Sequence, residues 1–203
     1  MALDVGLTDF VKFAASNGLP KFQKVREIQK RGPYAPARDF WKRLRDPIIR
    51  HHREKVPGSS DLDAILTALT DSKKQSLYPQ RVTAYKRFLR KKEAEWFEPP
   101  SVHMPMHPGM TLRIKPDLGL IIEGVPHVVK LYFSEDKLKK LETDLYLALM
   151  RKAPIDLVPT GTQFAVLDVP RSKLIATPSA SPSLWALIVA EALSFQSIWN
   201  SLN

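Results

Sequence analysis

The stretch that most constrains how this chain can fold runs from Thr111 to Phe133, TLRIKPDLGLIIEGVPHVVKLYF. Two runs of buried-type residues, Leu118 to Ile122 and Val128 to Phe133, flank a turn signal at Gly124 to Pro126. β-branched and aromatic residues on either side of a glycine and a proline read as two adjacent strands at the centre of a sheet. Three isolated charges, Asp117, Glu123 and Lys130, lie within this apolar run. Such charges need a partner or a use there, because desolvating an unpaired one is costly.

With a two-residue loop at Gly124-Val125, Glu123 faces Pro126, Lys130 lies opposite Gly119, and Asp117 lies opposite Tyr132. Side chains alternate faces with period two, so Asp117, Glu123 and Lys130 share one face. Asp117 and Lys130 are then diagonal neighbours roughly 7–8 Å apart at the backbone. Gly119 has no side chain and would leave open space between them. A loop one residue longer would turn Lys130 to the opposite face. The plainer reading makes Lys130 a strand-end lysine reaching water past apolar neighbours, and Asp117 a strand-start acid after Pro116.

Pro116-Asp117, a hairpin, a strand ending in Lys130 and then a helix resemble the core of the PD-(D/E)XK nuclease superfamily. The resemblance covers roughly residues 60–169. It implies Asp117 as a metal ligand and Lys130 as the group that positions or activates the attacking water, with Mg²⁺ or Mn²⁺ as the cofactor. Where the family carries its second carboxylate this chain has Val128, in Val128-Val129-Lys130. Glu123, on the neighbouring strand, is the acid that would supply the missing charge, so the catalytic set is Asp117, Lys130 and Glu123 and the metal set Asp117 and Glu123. Glu142 and Tyr146 are similar in spacing to the Gln-xxx-Tyr signature of RecB-like members, with Glu in place of Gln. Phosphodiester hydrolysis by this route needs a hard cation on carboxylate oxygens to polarise the phosphate and acidify a bound water.

The formal net charge of +10 is unevenly spread. Residues 1–100 hold 21 Lys and Arg against 12 Asp and Glu, a net of +9, whereas residues 101–203 hold 10 against 9. A segregated excess attracts polyanions through phosphate neutralisation and counterion release. The alternative is a basic but otherwise unremarkable helical surface, since no stretch has the density of a dedicated basic tail. The residues expected to meet a nucleic acid, DNA in the first instance, are Lys42, Arg43, Arg45, Arg50, Arg53, Lys86, Arg87 and Arg90.

Along the chain, Leu7 to Ser16 and Pro20 to Lys30 read as amphipathic helices, the second with proline in its first turn. Residues 35–56 read as two helical pieces broken at Asp46-Pro47. Phe40-Trp41 either stacks bases or packs in a core. Neighbouring His51 and His52 diverge by about 100° on a helix and read as surface residues. Pro57-Gly58-Ser59-Ser60 reads as a linker, dividing a basic N-terminal helical region, 1–57, from a core, 58–203. Pro79 to Phe97 reads as a helix, Arg81 on its basic flank and Trp96 on its buried stripe. Val102 to His107 reads as an irregular edge strand whose histidines are too far apart to share an ion. A helix follows from Ser134 with Leu138, Leu141, Leu145 and Leu149 as its stripe, then strands at 164–169 and 174–175. The fold class expected is α/β, a three-layer α/β/α arrangement with a small mixed central sheet.

The last helix, capped by Ser181, is apolar nearly all round. With Glu191 inside and about seventeen residues it is short of the roughly twenty a membrane span needs, so the sequence predicts no membrane partner. It predicts instead a core helix, or a homodimer or protein interface through residues 182–200. No cysteine is present, which excludes disulfides and thiolate zinc sites and fits a reducing interior. Met-Ala-Leu-Asp-Val lacks a basic signal-peptide start, so a cytoplasmic protein is expected. Glycine-rich phosphate loops and Gly-x-Ser-x-Gly turns are absent. Two function classes result: a nucleic-acid-binding protein with a nuclease-like core and an incomplete metal site, or a non-enzymatic interaction protein docking through its basic helices and apolar C-terminal helix.

Overall fold

The computed structural model describes residues 3–32, 35, 38–56, 60–67, 69–90, 92–152, 158–176 and 181–202. The expected 57/58 boundary, with Pro57, Gly58 and Ser59, lies outside those residues. The elements are β1 (Leu3–Gly6), α1 (Leu7–Ala14), α2 (Leu19–Arg31), α3 (Lys42–Arg53), α4 (Ser60–Ala64), α5 (Ser72–Leu89), β2 (Ala94–Phe97), β3 (Val102–His107) and β4 (Met110–Ile114). They continue with β5 (Leu118–Ile122), β6 (Val125–Tyr132), α6 (Lys140–Lys152), β7 (Gln163–Asp168), β8 (Lys173–Ala176) and α7 (Pro182–Ser201).

Among the described residues the strands form two sheets. The larger runs β2-β5-β6-β7-β8; β2, β5 and β6 are antiparallel neighbours, although the chain passes through β3 and β4 of the other sheet between β2 and β5, and β7, reached through α6, is parallel to β6. Period-two alternation along β6 divides its residues between two cores. Val128 and Tyr132 pack with residues of α1, α6 and α7, while Val129 and Leu131 pack with residues of α3, α4 and α5. Helices therefore cover both faces of the central sheet, and the fold is α/β.

A second sheet, β1-β4-β3, was not expected. Leu3 to Gly6 pairs in parallel with Met110 to Arg113, so the start of the chain is a strand before it is a helix. Thr111 to Ile114 belongs to this sheet, not to the central hairpin. Lys115-Pro116-Asp117 is the corner between the two sheets, where proline cannot donate to a ladder.

Three helix expectations are corrected. Pro47 lies inside α3 without breaking it; the carbonyl of Arg43 loses its intrahelical partner, and full burial of Leu44 and Ile48 on the same stripe offsets that loss. α5 starts at Ser72, capped by Asp71, whose side chain accepts from the Lys74 N–H at 2.9 Å. It ends at Leu89, and Ala94 to Phe97, with Trp96, is strand β2 paired to β5. α6 starts at Lys140 rather than Ser134, which leaves Leu141 exposed and Leu138 in the core.

Candidate functional site

The β5–β6 hairpin turns on Glu123-Gly124, not Gly124-Val125. Ile122 pairs with Val125 and Leu118 with Val129. Glu123 and Gly124 have φ of 51° and 79°, the pair of left-handed residues that a type I′ turn requires. Each opposed pair is therefore offset by one residue per strand from the expected register. Parity is unchanged, and Lys130 moves from a diagonal to a direct position across from Asp117.

The consequence is a contact. Lys130 Nζ lies 2.9 Å from Asp117 Oδ2, with both side chains largely buried. Asp117 Oδ2 also accepts from the Leu131 N–H at 2.8 Å, and the Asp117 N–H donates to the Val129 carbonyl at 2.9 Å. The aspartate thus continues the hairpin ladder with its side chain past the end of β5. From the other side, Arg45 Nε of α3 approaches Asp117 Oδ1 at 3.7 Å. Arg45 is itself held by Asp39 at 2.8 Å and lies near Asp46. Burial alone would disfavour its charge, but Asp117, Asp39 and Asp46 outweigh that and raise its pKa above the usual range.

Other parts of the expected constellation lie elsewhere. Glu123 is exposed in the turn at the far end of β5, about 20 Å along the strand from Asp117. Val128, where the nuclease resemblance implies a second acid, is fully buried in the core. The open space expected at Gly119 is filled: a Cβ there would meet the Phe97 carbonyl oxygen at 2.3 Å and the Phe97 ring at 2.8 Å. Glu142 Oε2 accepts from the Lys139 N–H at 2.9 Å, so it caps α6. Tyr146 is buried, and its pKa is raised chiefly by that burial. Among the described residues no cluster of three acid or histidine side chains is arranged to hold a metal ion. An Asp117 carboxylate already occupied by an ammonium, an amide and a guanidinium does not fit Mg²⁺ or Mn²⁺.

The basic residues divide in two. Lys42 pairs with Asp46, Arg45 with Asp39 and Asp117, Arg53 with Glu98, and Lys86 with Asp63. Arg43 and Arg50 of α3, and Arg87 and Arg90 at the end of α5, are exposed and make no ion pair among the described residues. The two helices lie on one face of the central sheet: Trp41 stacks on Tyr78 and on Phe133, which assigns Phe40-Trp41 to packing.

Sequence reasoning missed two groups here. Arg81, placed on an exposed flank, is buried and donates from Nε to the Phe133 carbonyl at 2.9 Å. His51 and His52, placed at the surface, are both buried. His51 Nδ1 lies 2.9 Å from Asp61 of α4, and His52 Nε2 lies 2.6 Å from the Tyr85 hydroxyl of α5. The signal was the stripe Leu44, Ile48, His51, His52, at the spacing of one helix face. Burial, with a smaller contribution from His51, lowers the His52 pKa to about 4 against an opposing pull from Asp61.

No protein-family profile matches the chain, and no curated protein sequence does. Among the described residues no helix is long and apolar enough to cross a membrane.

Proposed function

We propose that this protein binds the phosphate backbone of nucleic acid, DNA in the first instance, through the outer sides of α3 and α5, on a nuclease-like core in which Asp117 and Lys130 are a structural ion pair. The observation that carries this reading is the set of exposed cations Arg43, Arg50, Arg87 and Arg90 on two neighbouring helices over one face of the sheet. Cations with no ion-pair partner among the described residues are available for phosphates, whereas Lys42, Arg45, Arg53 and Lys86 would first have to leave their carboxylates.

The nuclease-like part is supported by the hairpin β5-β6 followed by α6 and the parallel β7, with α5 and β2 preceding them across the β3-β4 excursion into the second sheet, and by the juxtaposition of Asp117 with Lys130. The site chemistry argues for binding over cleavage, since Val128 and the occupied Asp117 leave a cation too few oxygen ligands. The test is incubation of the purified protein with plasmid and linear DNA, with Mg²⁺, Mn²⁺ or EDTA, beside Asp117→Asn and Lys130→Met. Retardation of DNA in EDTA without metal-dependent cleavage is expected. Cleavage that needs the metal and is lost in both variants would establish a working nuclease centre and refute the structural role of the pair.

A further inference from the structure

α2 and α7 lie side by side, tied by Lys21 to Glu191 at 2.6 Å and by the Gln29 side-chain amide to the Trp199 carbonyl at 2.9 Å. The two helices carry most of the exposed large apolar residues of the described chain: Leu19 at 76 % and Phe22 at 45 % exposure on one side of α2, and Leu187 at 37 % and Leu193 at 53 % on α7, where six residues of spacing turn them to different sides. α2 is unusual in burying a single residue, Val25.

The charges beside these residues that lack an ion pair among the described residues have one sign. Arg26 and Lys30 continue the row that starts at Leu19, at seven- and four-residue intervals, and are exposed without an ion pair among the described residues. The acids of the two helices, Glu27 and Glu191, are neutralised by Lys24 and Lys21. An apolar surface with unpaired cations beside it complements a surface that is anionic outside and apolar just beneath.

We infer that the outer face of α2 docks on an anionic lipid bilayer surface, with Leu19 and Phe22 entering the headgroup boundary and Arg26 and Lys30 meeting lipid phosphates. A second copy of this chain is disfavoured because it would bring Arg26 and Lys30 against their own kind. The protruding side chains suit a deformable interface, which moulds around them as a rigid partner does not. α2, with 13 residues, is about 20 Å long, enough to lie along the membrane plane. The expectation of no membrane partner rested on span length, and lying on a bilayer needs no span. This inference is independent of the nucleic-acid reading, which uses α3 and α5.

The test is co-sedimentation of the full chain with vesicles of phosphatidylcholine alone, or with about one-third phosphatidylglycerol, at about 50 mM salt. Binding to the anionic vesicles only is expected. Leu19→Asp with Phe22→Asp should weaken it more than tenfold, and Arg26→Ala with Lys30→Ala by about tenfold or more. All four residues are exposed, and circular dichroism with an unchanged urea midpoint establishes that the variants fold. No binding to anionic vesicles overturns the proposal. So does binding that survives Leu19→Asp with Phe22→Asp, or a Leu19- and Phe22-dependent dimer of the unaltered chain.

Discussion

Lys130 Nζ sits 2.9 Å from Asp117 Oδ2 while Arg45 approaches the other oxygen at 3.7 Å, so one aspartate joins the central hairpin to α3. Removing one partner of a buried pair strands the others. Asp117→Ala should therefore cost about 3–5 kcal/mol in urea unfolding. Asp117→Asn, which keeps an acceptor for the Leu131 N–H, should cost less. Equal losses in the two variants would show that the ladder bond contributes little.

Gly119 is a packing position. Gly119→Ala would push a methyl group into the Phe97 carbonyl and ring, where backbone must give way. A loss of about 1–3 kcal/mol is expected, read from the denaturation midpoint. An unaffected midpoint would mean that β2 is not held against β5 at Phe97.

His52 should make the protein sensitive to acid. Its pKa falls from 6.5 to about 4 on folding, so below pH 6.5 the unfolded chain takes up a proton that the folded chain resists. Stability is full above that pH and declines as pH drops toward 4, by roughly 3 kcal/mol for this group. The proton would have to enter between His51, Asp61 and the Tyr85 hydroxyl. In His52→Gln, urea unfolding across this range should lose most of that slope, and an identical slope would assign the acid sensitivity to other groups.

The hairpin, the shared face of Asp117 and Lys130, both N-terminal helices and the Ser181 cap were legible because each is written in short-range pattern: alternation, a stripe, a capping residue. Register was not. It depended on whether Glu123 or Val125 joined Gly124 in the turn, and the choice of Glu123 with φ of 51° brought Lys130 from a diagonal to a direct contact. The pairing of Leu3 to Gly6 with Met110 to Arg113 was invisible because it joins residues more than a hundred positions apart, with no local signal of their partner. The burial of His51 and His52 has no signal in their own polarity, because Asp61 and Tyr85, which satisfy them, come from other helices.

Binding of duplex DNA in EDTA, followed by anisotropy across a salt titration, decides whether α3 and α5 hold a phosphate backbone. Four arginines on four phosphates give a slope of about −3 to −4 in log K against log salt, roughly a hundredfold loss between about 50 and 200 mM. Replacing Arg43, Arg50, Arg87 and Arg90 by alanine should abolish most of that slope and the binding with it. Absence of binding at the low-salt end, or a slope unchanged by the four substitutions, would contradict the account.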